Sequence, residues 1–162
     1  MCIRDSIYGL NLFVDEMIAS QERCHIINTS SMAGIIVGPA LAPYTTTKHA
    51  VVGLTRTLHE DLADNNKVGV SVLCPGLVQT NIIERDHLGL DLDESSIDQH
   101  ESAKNNAQWL ADGVKEGMTP EDLATIVFKK IESNEFWMLT HPEFVEVYSD
   151  YSKELIESST KE

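Results

Sequence analysis

Cys24-His25-Ile26-Ile27-Asn28-Thr29 and Val68-Gly69-Val70-Ser71-Val72-Leu73-Cys74 are the two runs whose reading decides the fold. Each is short and largely apolar, the pattern of a strand buried on both faces in a parallel sheet. Between them, Tyr44 to about Asn65 carries Val51, Leu54, Leu58 and Leu62 at helical spacing. That spacing predicts a helix with these residues as its buried stripe. Gly34, Gly38, Pro39 and Pro43 mark residues 32–43 as a loop before it. Strand, helix and strand in succession form a crossover unit, which implies a parallel sheet and an α/β fold.

Chemistry gathers at the ends of these elements. Ser31 follows the first strand, and Tyr44 and Lys48 stand four apart at the start of the helix. At that spacing both side chains project from one helix face. An ammonium beside a phenol favours the phenolate, so Lys48 should lower the Tyr44 pKa from its usual value of about 10. A phenol tuned that way can give or take a proton near neutral pH. With 4 Tyr and 8 Lys in 162 residues, chance supplies about 0.2 such pairs, so the spacing carries little weight alone. Pro75-Gly76 ends the second strand abruptly. In open α/β sheets, ligands bind beyond the carboxyl ends of the strands, where Ser31 and Pro75-Gly76 both fall.

Three segments together carry a resemblance: Ile26-Ile27-Asn28-Thr29-Ser30-Ser31-Met32-Ala33-Gly34, Tyr44-Thr45-Thr46-Thr47-Lys48-His49-Ala50 and Val70 to Thr80 with its Cys74-Pro75-Gly76. In order and spacing they resemble the short-chain dehydrogenase/reductase family, including the thirteen-residue step from serine to tyrosine. The resemblance runs from about Ile7 to Thr80, and more loosely to Tyr151. It implies a C-terminal half of a doubly wound, Rossmann-like domain, with three parallel strands and flanking helices. It further implies hydride transfer between NAD or NADP and a small alcohol or carbonyl substrate. Ser31, Tyr44 and Lys48 take the catalytic positions, the family spacing choosing Ser31 over Ser30. Tyr44 and Lys48 also reach the cofactor, Pro75 and Gly76 line the nicotinamide, and Val78 and Thr80 contact its carboxamide. The family also carries a relay Asn upstream, and Asn11 is no safe substitute for it.

No Gly-x-Gly-x-x-Gly or Thr-Gly-x-x-x-Gly turn occurs in the chain, and Met1 to Ser6 does not fit the family where it stands. Residues 1–6 therefore read as a junction or truncation scar, and 7–156 as the C-terminal part of one domain. Residues 81–118, with Leu88, Leu90, Leu92, Trp109, Leu110 and Met118 among many acids, lack a clear period. By resemblance they form the substrate lid, and their bulky apolar residues lean towards an apolar or medium-sized substrate.

Outward from this centre, Ile7, Leu10, Phe13, Val14, Met17 and Ile18 predict a helix over 7–21, packed either within its domain or against another subunit. Thr119-Pro120-Glu121-Asp122 is a helix start, with Thr as cap, Pro in the first turn and acids beside it. Leu123, Ile126, Val127 and Ile131 supply its stripe. Phe136 to Leu139 reads as a short strand, and Thr140-His141-Pro142 opens a last helix with Phe144, Tyr148, Tyr151 and Leu155 on one side. Asn28 reads as a satisfied structural polar group, His141 as a cap or packing group, and 157–162 as a frayed tail.

The net charge of −14 is uneven, with 7 acids and 5 bases in residues 1–83 against 19 and 7 in 84–162. That balance disfavours nucleic acid, which needs a basic patch. Cys2, Cys24 and Cys74 form no C-x-x-C pair, and no signal peptide precedes them, which reads as reduced thiols in a cytoplasmic protein. No apolar run approaches the roughly 20 residues of a membrane helix, and the six histidines show no ligand spacing. A lyase or epimerase relative with a tightly held cofactor stays open, as does a non-catalytic binding protein on this scaffold. Substrate identity, NAD against NADP and homo-oligomerisation are not read from these residues.

Overall fold

The computed structural model describes residues 3–82 and 101–160. In chain order they form α1 (Ile3–Ser20), β1 (Cys24–Thr29), a 3₁₀ turn (Met32–Gly34), α2 (Ala42–Asp61) and β2 (Val68–Cys74). Then follow α3 (Glu101–Glu116), α4 (Pro120–Glu132), β3 (Trp137–Leu139), a second 3₁₀ turn (Pro142–Phe144) and α5 (Val145–Ser159). The three strands make one parallel sheet in the order β1-β2-β3, with Cys24 opposite Val68, Thr29 opposite Leu73 and Cys74 opposite Leu139. The fold is thus α/β, with helices flanking a three-stranded parallel sheet.

β2 is the central strand, and it is buried along nearly its whole length, Val72, Ser71 and Cys74 completely. Met32, Val72, Cys74 and Phe136 form the core, with Ile35, Val52, Leu139 and Phe144 packed against them. β1 differs from the expectation of burial on both faces. Only Ile26 and Asn28 are buried, because β1 is the edge of this sheet and one flank is covered only in part. Asn28 is not the satisfied group it reads as: its buried Nδ2 has no hydrogen-bond partner among the described residues.

The stripe of α2 is also corrected. Its buried residues are Thr45, Lys48, Val51 and Thr55, while Leu54, Leu58 and Leu62 are half-buried. Thr55 satisfies its hydroxyl there by donating to the Val51 carbonyl at 2.7 Å, whereas the buried Thr45 Oγ1 has no partner among the described residues. α2 begins two residues before Tyr44, and Pro43 belongs to its first turn, where a missing N–H costs nothing. α1 starts at Ile3, and Gln21 ends it in the left-handed conformation, φ 56°.

Within the stretch that lacks a clear period, residues 101–116 form α3. Its bulky apolar side chains are only Trp109, Leu110 and Val114, and the apolar stripe is otherwise continued by alanine, at Ala107 and Ala111. Residues 83–100, with Leu88, Leu90 and Leu92, lie outside the described residues, as do residues 1, 2, 161 and 162. Thr119 caps α4 as expected, its Oγ1 accepting the Asp122 N–H at 3.2 Å. α5 extends to Ser159.

Candidate active site

Ser31 stands where β1 gives way to the 3₁₀ turn. Its backbone is extended, and its Oγ caps the turn by accepting the Ala33 N–H at 3.1 Å. The hydroxyl donates to the Pro75 carbonyl at 3.4 Å, and the Met32 N–H donates to the same carbonyl at 2.8 Å. Two strand ends are thereby tied together beside Ser31. Ser30 points elsewhere: it is 3% exposed and donates to the Lys48 carbonyl at 2.8 Å. A Cβ on Gly34 would fall 2.3 Å from the Ser30 Oγ and 2.7 Å from that same carbonyl. Only glycine lets the turn approach α2 this closely. Ser30 is committed to joining the turn and α2, while Ser31 lines a cavity.

Tyr44 and Lys48 lie one turn apart in α2. The Lys48 ammonium sits 5.6 Å from the centroid of the Tyr44 ring and donates to the Thr29 carbonyl at 3.3 Å. Lys48 is only 4% exposed. Burial pushes its pKa down, and the neighbouring Cys74 opposes that shift. Among the described residues no carboxylate forms an ion pair with it. An ammonium has three donors, so two N–H groups remain beyond the one given to Thr29. Cys74, beneath the site, has its thiol pushed up to about 12 by burial, against the opposing pull of the Ser31 backbone, the Lys48 charge and the Ser30 hydroxyl. It stays protonated at neutral pH and is no nucleophile.

Pro75-Gly76 is held from the far side. The Gly76 N–H donates to the Thr140 Oγ1 at 3.0 Å, and that hydroxyl lies 2.7 Å from the His141 Nδ1. The His141 ring covers Gly76 so closely that a Cβ there would meet it at 2.5 Å. It also stacks on Phe144, with centroids 6.0 Å apart. His141 is thus a packing group over the turn.

Ser31, Tyr44 and Gly76 line one cavity of about 330 Å³. Its remaining walls come from the loop after β1 (Ile36, Val37, Leu41), from α3 (Trp109, Leu110, Val114), and from Leu77 and Phe144. Lys48 does not line it but backs Tyr44. Val78 and Thr80 do not line it either. Val78 is buried in a bridge to Met118, where the Gln79 N–H donates to the Met118 carbonyl at 2.9 Å, and Thr80 is exposed. The roles of Thr140 and α3 had no local signature, since Thr140 meets Gly76 across 64 residues. Among the described residues no group of His, Cys, Asp or Glu is arranged for a metal, and no helix is long and apolar enough to cross a membrane.

The family model for short chain dehydrogenase matches residues 5–89, just over half of the chain. A CLA biosynthesis dehydrogenase/reductase of Lactiplantibacillus plantarum is 28% identical over 158 residues, 95% of this chain and 55% of that protein. A 1-deoxy-11-beta-hydroxypentalenate dehydrogenase of Streptomyces exfoliatus is 30% identical over 129 residues, 80% of this chain and 39% of that protein. The crystal structure of a short chain dehydrogenase/reductase from Burkholderia phymatum in complex with NAD superposes with a TM-score of 0.83 at 30% identity, over 94% of this chain and 55% of that one. The chain spans about half the length of the curated relatives it matches. Family match, shared fold and relatives agree, and the chain belongs to the short-chain dehydrogenase/reductase family.

Proposed function

We propose that the protein carrying this chain transfers a hydride between NAD or NADP and the carbon of a secondary alcohol or ketone. The observation that carries this reading is the placing of Ser31 and Tyr44 on one cavity, with the Lys48 ammonium 5.6 Å from the Tyr44 ring. In the oxidative direction the Tyr44 phenolate takes the proton of the substrate hydroxyl. Ser31, whose 3.4 Å bond to Pro75 is long and easily exchanged, turns its hydroxyl to the reacting oxygen. In the reductive direction Tyr44 returns the proton to the forming alkoxide. The buried Lys48 places positive charge behind the phenol ring.

The residues present fit a nicotinamide cofactor. Lys48 is a buried ammonium with two uncommitted donors and no carboxylate among the described residues, a donor set suited to ribose hydroxyls. Pro75 and Gly76 would border the nicotinamide, and Val78 and Thr80 would serve its carboxamide. When bound, the cofactor supplies the hydride acceptor or donor, and the protein supplies position and electrostatics. The test is to supply secondary alcohols with NAD or NADP to the protein at the length of its relatives. Reduced cofactor should accumulate in proportion to ketone formed. Substrate conversion without net reduced cofactor would instead mark a lyase or epimerase, and cofactor binding without conversion a non-catalytic protein.

A further inference from the structure

The walls of the Tyr44 cavity also specify what can enter it. Beyond Ser31 and Tyr44, the polar side-chain groups in its wall among the described residues are the Asn106 amide and the Trp109 indole N–H. One N–H of the Asn106 Nδ2 is given to the Pro39 carbonyl at 3.2 Å, which clips α3 to the loop after β1 and leaves the second N–H and Oδ1. Among the described residues no cationic side chain lines the cavity, and Lys48 sits behind Tyr44, bound to Thr29. Among the described residues, a carboxylate or phosphate on a substrate would therefore lose its water and meet no positive charge, and the neutral donors left to it are one Asn106 N–H and the Trp109 indole N–H. Such an unpaired buried charge is strongly disfavoured. At the mouth, Val37 (57% exposed), Ile82 (61%) and Trp109 (52%) form an apolar rim with no cover among the described residues. The volume of about 330 Å³ lies at the small end of the usual range for ligand pockets.

Resting on the oxidoreductase reading above, we propose that the substrate is an uncharged, medium-sized apolar alcohol or ketone. Its one oxygen lies between Ser31 and Tyr44, its apolar body lies against Leu110 and Val114, and its far end leaves past Trp109. α3 is then the specificity element, and Trp109 is its reporter.

The chain has two tryptophans, Trp109 and Trp137. Trp137 lies on β3 against Phe136 and does not line the cavity, so Trp137→Phe leaves Trp109 as the chain's probe. The protein is titrated with 2-octanone and with 2-oxooctanoate, which differ by a carboxylate beside the carbonyl. The expected result is saturable quenching of Trp109 by 2-octanone, with 2-oxooctanoate weaker by about tenfold or more. The kcat/KM for the two ketones, measured with reduced cofactor at the length of the relatives, should show the same preference without depending on fluorescence. Leu110→Asp, which brings a charge into the wall, should raise the KM for 2-octanone more than it lowers kcat. Equal or tighter binding of 2-oxooctanoate, or no saturable response to either ketone, overturns the proposal. Selective binding of 2-octanone without cofactor-linked turnover would leave this pocket assignment standing and remove the oxidoreductase reading. Turnover that prefers the carboxylate would do the reverse.

Discussion

The amide of Gly76 donates to the hydroxyl of Thr140 at 3.0 Å, joining the turn after β2 to the residue that follows β3. Pro75-Gly76 is consequently fixed from two sides: its Pro75 carbonyl accepts from Ser31 and Met32, and its Gly76 amide donates to Thr140. The His141 ring over Gly76 closes the arrangement. The third strand contributes no residue to the cavity, yet it sets the position of the turn that borders it.

Thr140→Val keeps the shape of the side chain and removes the acceptor. The part-buried Gly76 N–H would lose its partner, which costs about 1–3 kcal/mol. Thermal melting should show a lower Tm, and cofactor titration a weakened affinity. Thr140→Ser, which keeps the hydroxyl, should restore most of both. Equal behaviour of the Val and Ser variants would show that the hydrogen bond is not what holds the turn.

Tyr44→Phe keeps the ring beside Lys48 and deletes the group proposed to carry the proton. Losing a general acid–base catalyst typically costs about 10²–10⁴-fold in rate. In the protein at the length of its relatives, kcat should fall by that order while cofactor affinity changes little. Near-normal turnover would assign the proton to another group.

His25 gives a pH dependence unrelated to catalysis. Ser71 donates its hydroxyl to the Glu135 carbonyl at 2.7 Å, so it accepts from the His25 Nε2 at 2.6 Å. Nε2 therefore carries a proton, and Nδ1 is turned towards Gly69, where a Cβ would meet it at 2.3 Å. Burial, and then the Arg23 charge, lower its pKa below the ordinary 6.5. Between that lowered value and 6.5 the unfolded chain binds more protons than the folded one, so stability rises with pH across this window. It is fully present above 6.5 and is lost as pH falls through the folded-state value. His25→Gln can still donate to Ser71 but does not titrate. Melting curves from about pH 5 to about pH 8 should show a smaller acid-side loss of Tm for this variant than for the parent. Parallel curves would place the acid sensitivity elsewhere.

β1 and β2 were legible because a parallel strand leaves an apolar run between sharp breaks, and Pro75-Gly76 supplies one such break. Ser31, Tyr44 and Lys48 were legible through their spacing and their resemblance to a family, and the structure brings them to one place. The sheet-facing side of α2 was not, because Thr45, Lys48 and Thr55 read as polar while their burial depends on the strand they meet. α3 was hidden because much of its apolar stripe is alanine, at Ala107 and Ala111 beside Leu110 and Val114, and alanine marks a stripe weakly. The Gly76–Thr140 bond was hidden by distance along the chain, since no local pattern tells a threonine which amide it will accept from.

β1 carries the last prediction. It pairs with β2 on one side, and its other edge faces a groove beside α1 that includes Leu10, Val14, Met17 and Ile27. Asn28 lines the same groove with its Nδ2 buried and without a partner among the described residues. An open strand edge beside apolar side chains favours pairing with another chain. Nicotinamide cofactors also need a site for the pyrophosphate, normally a glycine-rich turn at a helix N-terminus. These 162 residues contain no such motif, and their proposed contacts, at Tyr44, Lys48 and 75–80, reach only the nicotinamide end. The 162-residue chain alone should therefore bind NADH and NADPH weakly, turn over no ketone, and associate with itself as its concentration rises. Joined to the N-terminal half of a relative, it should regain saturable binding and lose that self-association. Fluorescence titration and light scattering on both proteins test the pair of claims. Saturable micromolar binding with turnover by the 162 residues alone would show that the groove at β1 needs no further strand, or that a second copy of the chain fills it.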